Sequence, residues 1–123
     1  MRPLFCHVGV VDITPSEPVH LDGFANRVGL SGPVHRPLTS RCLVLSDGPS
    51  RLCLIANDLC EMALEHVNLI RDAIQEATGL DRERVLIHNI HTHSAPAMGN
   101  MLPAANEADR RYQEAVRQTI CLL

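Results

Sequence analysis

Residues 51–90 read RLCLIANDLCEMALEHVNLIRDAIQEATGLDRERVLIHNI, and this stretch decides the fold. Residues 51–57 form an apolar run of strand length, and Val85 to Ile90 form a second. Between them Ala63, Val67, Ile70, Ile74 and Ala77 recur at spacings of four and three. That period lays one apolar stripe along a helix over residues 61–78. Gly79 follows at once and suits the left-handed position that closes a helix. Strand, helix, strand in this order predicts a right-handed βαβ crossover and a parallel strand pair.

Working outward, residues 39–46 make another apolar run, separated from residue 51 by the turn signal Asp47-Gly48-Pro49-Ser50. The pair reads as an antiparallel hairpin. A first strand over residues 4–11 is closed by Asp12-Ile13-Thr14-Pro15. From Pro15 to Pro37 the chain is interrupted by Pro18, Gly23, Gly29, Gly32 and Pro33, so it reads as a long irregular connection. Long connections in compact domains tend to be functional, which makes this one a candidate wall of a site. A last helix starts at Asn106 as N-cap, with Asp109 near the positive end of its dipole. Its expected apolar face is Ala108, Tyr112, Ala115, Val116 and Ile120. The fold class is α/β with a mixed sheet: a β-hairpin, then a βαβ unit, then a C-terminal helix.

A length of 123 residues suits one domain, and 46% hydrophobic with 20% charged residues excludes a disordered or fibrous chain. With no Trp, one Tyr and two Phe, the core must be aliphatic. Eleven basic against fourteen acidic residues leave a net charge of −3, which argues against a nucleic-acid footprint. The five cysteines form no C-x-x-C pair, and several sit in apolar runs where a thiol behaves as a small hydrophobe. They point to structural thiols in a reducing compartment. No run approaches the ~18 apolar residues of a transmembrane segment. Met1-Arg2-Pro3 leads directly into the first strand and leaves no room for a signal peptide, so a cytoplasmic protein is expected. Residues 118–123 stop within an apolar helical run that carries no cap. The expectation is an incomplete portion of a larger domain, with the terminal helix face exposed and available for self-association.

The chemistry concentrates in His88-Asn89-Ile90-His91-Thr92-His93-Ser94-Ala95-Pro96. His91 and His93 are two residues apart, so in an extended backbone their imidazoles leave the same side of the chain. They fall where a parallel strand ends, the edge on which open α/β sheets bind ligands. An H-x-H at that place can present two neutral imidazoles to one metal ion, usually zinc. Asp58 ends the neighbouring strand and can orient an imidazole or ligate directly; its alternative role is to cap the following helix. His88 has the opposite parity and reads as a core or surface histidine. His35, in the long connection, can fold over the site, whereas His7, His20 and His66 carry no argument beyond their type. Ser94 lacks a nucleophile elbow and reads as a turn or supporting hydroxyl.

Several segments, taken in order, resemble the N-terminal part of the neutral (alkaline, non-lysosomal) ceramidase catalytic domain. They are residues 8–15 (VGVVDITP), Leu21-Asp22-Gly23-Phe24, residues 34–45 (VHRPLTSRCLVL), Asn57-Asp58-Leu59, and His91-Thr92-His93-Ser94-Ala95-Pro96, similar to the family's H-T-H-S-G-P. The resemblance implies a zinc-dependent amidase acting on an N-acyl amide, ceramide or a related lipid-like compound. It makes His91 a zinc ligand and gives His93 a supporting role in substrate or water orientation. The remaining donors it implies, a His, a Glu and a Tyr, come from beyond residue 123. Ala95 stands where glycine is usual, so a strained turn is expected there. An H-T-H-S motif is also similar to the opening of metal-dependent phosphoesterase and amidohydrolase barrels, but there it tends to end the first strand. A third alternative is a non-catalytic truncated gene product.

Overall fold

The computed structural model describes residues 3–99 and 104–123. Met1 and Arg2, on which the localisation expectation partly rests, lie outside them. Four strands form one sheet in the order β1-β2-β3-β4: β1 (Phe5–Asp12), β2 (Thr39–Ser46), β3 (Arg51–Asn57) and β4 (Val85–Asn89). The first two pairings are antiparallel and β3 pairs with β4 in parallel, so the sheet is mixed as expected. Helix α1 (Leu64–Thr78) makes the crossover, a short 3-10 turn leads into β4, and α2 (Glu107–Ile120) closes the chain.

The helix ends follow local chemistry. Gly79 takes the left-handed conformation at φ 68° and donates its N–H to Gln75 O. Asn106 and Asp109 form a reciprocal capping box at the start of α2. Helix α1, however, begins three residues later than its apolar period suggests, with Ala63 as N-cap and no side-chain cap. Residues 58–63 instead run past the end of β4, where Ala63 N–H is taken by Met98 O at 2.8 Å. A backbone group satisfied outside the helix has no drive to join it.

One face of the sheet packs against the helices. Cys42, Cys53, Ile55 and Val85 share a core with Ile70 of α1 and with Tyr112, Val116 and Ile120 of α2. The terminal helix therefore buries Tyr112, Val116 and Ile120 of its expected apolar face, contrary to the expectation that this face is open, while Ala108 is half-buried and Ala115 exposed. Tyr112 donates its hydroxyl hydrogen to Ile13 O at 3.0 Å, tying α2 to the end of β1. Cys42 and Cys53 stand 3.7 Å apart as buried thiols, and burial with Cys42 alongside pushes the Cys53 thiol up to about 12. A row of buried polar side chains, Ser40 to Asn57 at 2.6 Å and Asn57 to Asn89 at 3.1 Å, locks three strands in register just below the functional edge.

The opposite face carries the cross-strand row Val8, Leu43, Leu54 and Leu86, with Leu45 opposite Leu52 on one side of it and Val10 opposite Arg41 on the other. Val8 is 72% exposed, Val10 59% and Leu86 52%, so nothing among the described residues covers it. A contiguous apolar sheet face of this kind drives association. The purified chain is expected to sediment as concentration-dependent oligomers, and Val8→Lys combined with Leu86→Lys to shift it to monomer. An unchanged sedimentation profile in the double variant would place the contact elsewhere.

Candidate metal centre

Parallel pairing of β3 with β4 builds the site. The register Asn57↔Asn89 continues as Ile90 N–H to Asn57 O at 3.1 Å. Beyond it, the N–H groups of His91 and Thr92 both converge on Leu59 O, at 3.0 and 3.3 Å. Two donors on one carbonyl require a sharp turn, and His91 supplies it by adopting φ 64°, the one non-glycine left-handed residue among those described. That turn swings the His91 ring onto Cys60. Cys60 O accepts at 3.0 Å from His91 Nδ1, and Cys60 Sγ lies 3.7 Å from the same nitrogen. A carbonyl can only accept, so this contact assigns the proton to Nδ1 and leaves the Nε2 lone pair for a ligand.

His93 completes the cluster. Its ring centroid is 5.1 Å from that of His91, at an interplanar angle of 71°. One donor atom each from Cys60, His91 and His93 fall within 4.8 Å of one another, enough to hold a metal ion. The long connection forms the wall behind them. Asp22 N–H donates to Ala95 O at 2.9 Å, Ala97 N–H to His20 O at 3.0 Å, and Leu21 bridges Pro96. Phe24 meets the His93 ring edge-on at 4.8 Å, while Arg27 spans Asp22 O and His93 O at 2.9 and 2.8 Å.

Gly23 sits at φ 99° directly against the His93 imidazole, where a Cβ would overlap the ring. Only glycine accepts both the backbone and the approach. Gly23→Ala is therefore expected to displace the His93 ring and weaken metal binding at this cluster by about 10–100-fold, the size of effect seen when the groups that position a site are altered. A competitive chelator titration reads this, and unchanged affinity would mean that His93 is not held by Gly23.

Asp22 is buried, and its Oδ1 accepts from Gly23 N–H at 2.7 Å while Oδ2 has no partner. Its charge is close enough to act on Cys60: burial first, then Asp22 and Glu61, push that thiol up. An orphaned buried carboxylate oxygen whose charge reaches the Cys60 sulfur is an arrangement that a cation would relieve. The nitrogen and sulfur donors suit zinc.

Asp58 falls on the other side of the strand. The β3–β4 register places it beside Ile90, out of parity with His91. Asp58 Oδ2 accepts from Thr39 N–H at 2.9 Å and Thr39 Oγ1–H at 2.8 Å, and Oδ1 from Arg41 at 3.1 Å. Burial opposes ionisation, but these hydrogen bonds outweigh it and hold the carboxyl below its usual range. Asp58 thus braces β2 against β3; it neither caps α1 nor touches an imidazole among the described contacts. With Thr92, Ser94, His35 and Arg41 it lines a separate cavity of about 640 Å³ under the long connection. His88 is exposed, and His20 pairs with Asp109 at 2.8 Å. Ala95 is buried with an ordinary φ, so the strain expected there is instead carried by His91.

No family model matches the chain, and no curated protein matches it. Among solved structures it is similar to neutral ceramidase from Pseudomonas aeruginosa, with a TM-score of 0.82 and 19% identity over 99% of this chain and 21% of that one. It is similar also to a ceramidase complexed with C2, with a TM-score of 0.78 and 19% identity over 98% of this chain and 20% of that one. The class defined by sheet and site is an α/β unit with a histidine cluster at the end of a parallel strand. More particularly, the chain has the fold of part of neutral ceramidase and spans about a fifth of the length of those structures.

Proposed function

We propose that these residues are the N-terminal portion of a zinc-dependent hydrolase that cleaves an N-acyl amide, ceramide or a related N-acyl compound. The observation supporting this reading is the His91–His93 pair at the end of β4, in a fold that follows neutral ceramidase along 99% of the chain. Zinc would be held by His91, with His93 beside it, and would supply Lewis acidity that acidifies water towards pKa ~7 and polarises the amide carbonyl. The chain's own residues set the geometry. Cys60 O holds the His91 Nδ1 proton and so would leave Nε2 as the nitrogen that binds the ion. Arg27 fixes the His93 backbone, and Gly23 with Phe24 fixes its ring, so that this imidazole can orient water or substrate. Further His, Glu and Tyr donors are assigned to sequence beyond residue 123.

The five free cysteines fit a reducing compartment such as the cytoplasm, and no helix among the described residues is long and apolar enough to cross a membrane. The test is fatty-acid release from N-acylsphingosine and from N-acyl amino acids. It should compare the 123-residue chain with the longest reading frame that contains it, with and without zinc. Turnover is expected in the longer product, lost on chelation and in His91→Ala, and none in the 123-residue chain. Turnover that survives His91→Ala would remove the metal from the mechanism.

A further inference from the structure

We propose that the cavity under the long connection binds the carboxylate of an N-acyl amino acid, which makes the compound cleaved an anionic amide. This deepens the reading above and rests on it for the amide alone; the carboxylate is argued from the cavity's own residues. At about 640 Å³ the cavity is of small-ligand size, and the exposed residues 32–37 form its rim. Thr92 and Ser94 line it, whereas His91 and His93, which alternate with them along the chain, belong to the metal cluster. Leu21, bridged to Pro96, lines it too, so the segment that walls the histidines also walls the cavity. One strand end therefore serves both places, and a ligand seated in the cavity adjoins the metal cluster.

The polar lining is rich in donors and poor in acceptors. Arg36 meets no carboxylate among the described residues. Arg41 gives one nitrogen to Asp58 Oδ1 at 3.1 Å, and among the described contacts the other N–H groups of its guanidinium are uncommitted. The hydroxyls of Ser31 and Thr92 already accept, from Val19 N–H at 3.2 Å and Ser94 N–H at 3.3 Å, which leaves each with a hydrogen to donate. Thr14 is closed in both directions on Leu38. Asp58 is the one carboxylate in the lining, and Thr39 and Arg41 engage both its oxygens. Two arginines against one engaged carboxylate leave the cavity positive, and its free donors call for an acceptor. Leu21, Leu38 and Ile90 supply apolar surface for the carbon skeleton. The head of a ceramide carries hydroxyl groups and no charge, and offers the guanidiniums no counter-charge. A carboxylate on the carbon next to the amide nitrogen meets them with charge-assisted, bidentate hydrogen bonds.

NMR titration of the metal-free 123-residue chain with N-hexanoylglycine and with N-hexanoylglycinamide tests this, since the two compounds differ only in the charged group. The acid should bind about tenfold more tightly than the amide, shift the backbone signals of Arg36, Arg41 and Thr92, and weaken as salt is raised. Arg36→Gln combined with Arg41→Gln should bring the acid down to the affinity of the amide, whose own binding should change by no more than about twofold. Equal binding of acid and amide by the parent chain, or preference for the acid that survives in the double variant, overturns the assignment. Should the double variant fail to fold because Arg41 also braces Asp58, Arg36→Glu decides: a loss of about tenfold for the acid alone upholds the site, and unchanged affinity overturns it. Inorganic phosphate that displaces the acid at equal concentration would make the cavity a general anion site and overturn the N-acyl amino acid as its ligand. The readout needs no turnover. Carboxylate-selective binding with no amidase in the longer product would sink the hydrolase reading and leave the carboxylate site standing. Amidase that prefers N-acylsphingosine, with no selective binding, would do the reverse.

Discussion

His91→Gly is expected to leave the metal-free chain about 1 kcal/mol more stable than His91→Ala, while both variants lose the zinc-induced rise in thermal midpoint. His91 is held at φ 64° because its N–H and that of Thr92 share Leu59 O. An L-residue there costs about 1–2 kcal/mol, a cost that alanine keeps and glycine removes. Glycine offsets part of the gain by its greater freedom in the unfolded chain, so the net difference stays near 1 kcal/mol. The imidazole adds the contact to Cys60 O and the donor for a metal, neither of which glycine or alanine can make. A strained residue that keeps a ligating side chain is the pattern of a functional turn. Thermal unfolding of the three chains, with and without zinc, separates backbone from ring. Glycine less stable than alanine would show that the turn carries no strain, and a zinc-induced rise surviving in either variant would show that His91 is not the ligand.

Asp109→Asn is expected to destabilise the fold by about 3–4 kcal/mol, a large part of the 5–15 kcal/mol typical of a domain. The Asp109 carboxylate is almost fully buried and serves as the junction between α2 and the site wall. Its Oδ1 accepts from His20 N–H at 3.0 Å; its Oδ2 accepts from Ala105 N–H at 3.0 Å and Asn106 N–H at 3.2 Å and contacts His20 Nδ1 at 2.8 Å. An amide replaces one acceptor oxygen with an NH₂ that faces other donors, leaving buried groups unsatisfied. Burial would raise this carboxyl, but hydrogen bonds from His20, Ala105 and Asn106 prevail and hold it below its ordinary value. A depressed carboxyl pKa stabilises above the unfolded value near ~3.9, and that stability is lost as pH falls through the folded value. Chemical denaturation across the acid range should show this limb in the parent chain and a flatter one in Asp109→Asn. A loss below 1 kcal/mol would mean that solvent replaces the carboxylate's role.

Much of the fold was legible because its signals are local. Asp47-Gly48-Pro49-Ser50 marks the hairpin, Gly79 ends α1, and Asn106 with Asp109 opens α2, each through chemistry confined to a few residues. The start of α1 was not legible, since the group that diverts Ala63 N–H is Met98 O, 35 residues away in sequence. The same distance hid half of the site. His91 and His93 announce themselves by spacing, whereas Cys60 becomes a candidate only once the register Asn57↔Asn89 is known. That register also explains Asp58: one residue beyond Asn57 reverses the side of the strand and sends its carboxylate to Thr39 and Arg41. Asp22 lies in a connection without periodicity, where no pattern predicts that a carboxylate will be buried. The apolar outer face of the sheet was readable as apolar, but not as uncovered.

Zinc content after equilibrium dialysis tests the metal centre most directly. The metal-free chain is dialysed against excess zinc, then against buffer, and analysed for metal per chain beside His91→Ala. About one zinc per parent chain and almost none in the variant is the expected result for a site that His91 anchors beside Cys60 and His93. A parent chain that emerges without zinc, or a His91→Ala chain that retains it, would contradict a metal centre at the end of β4.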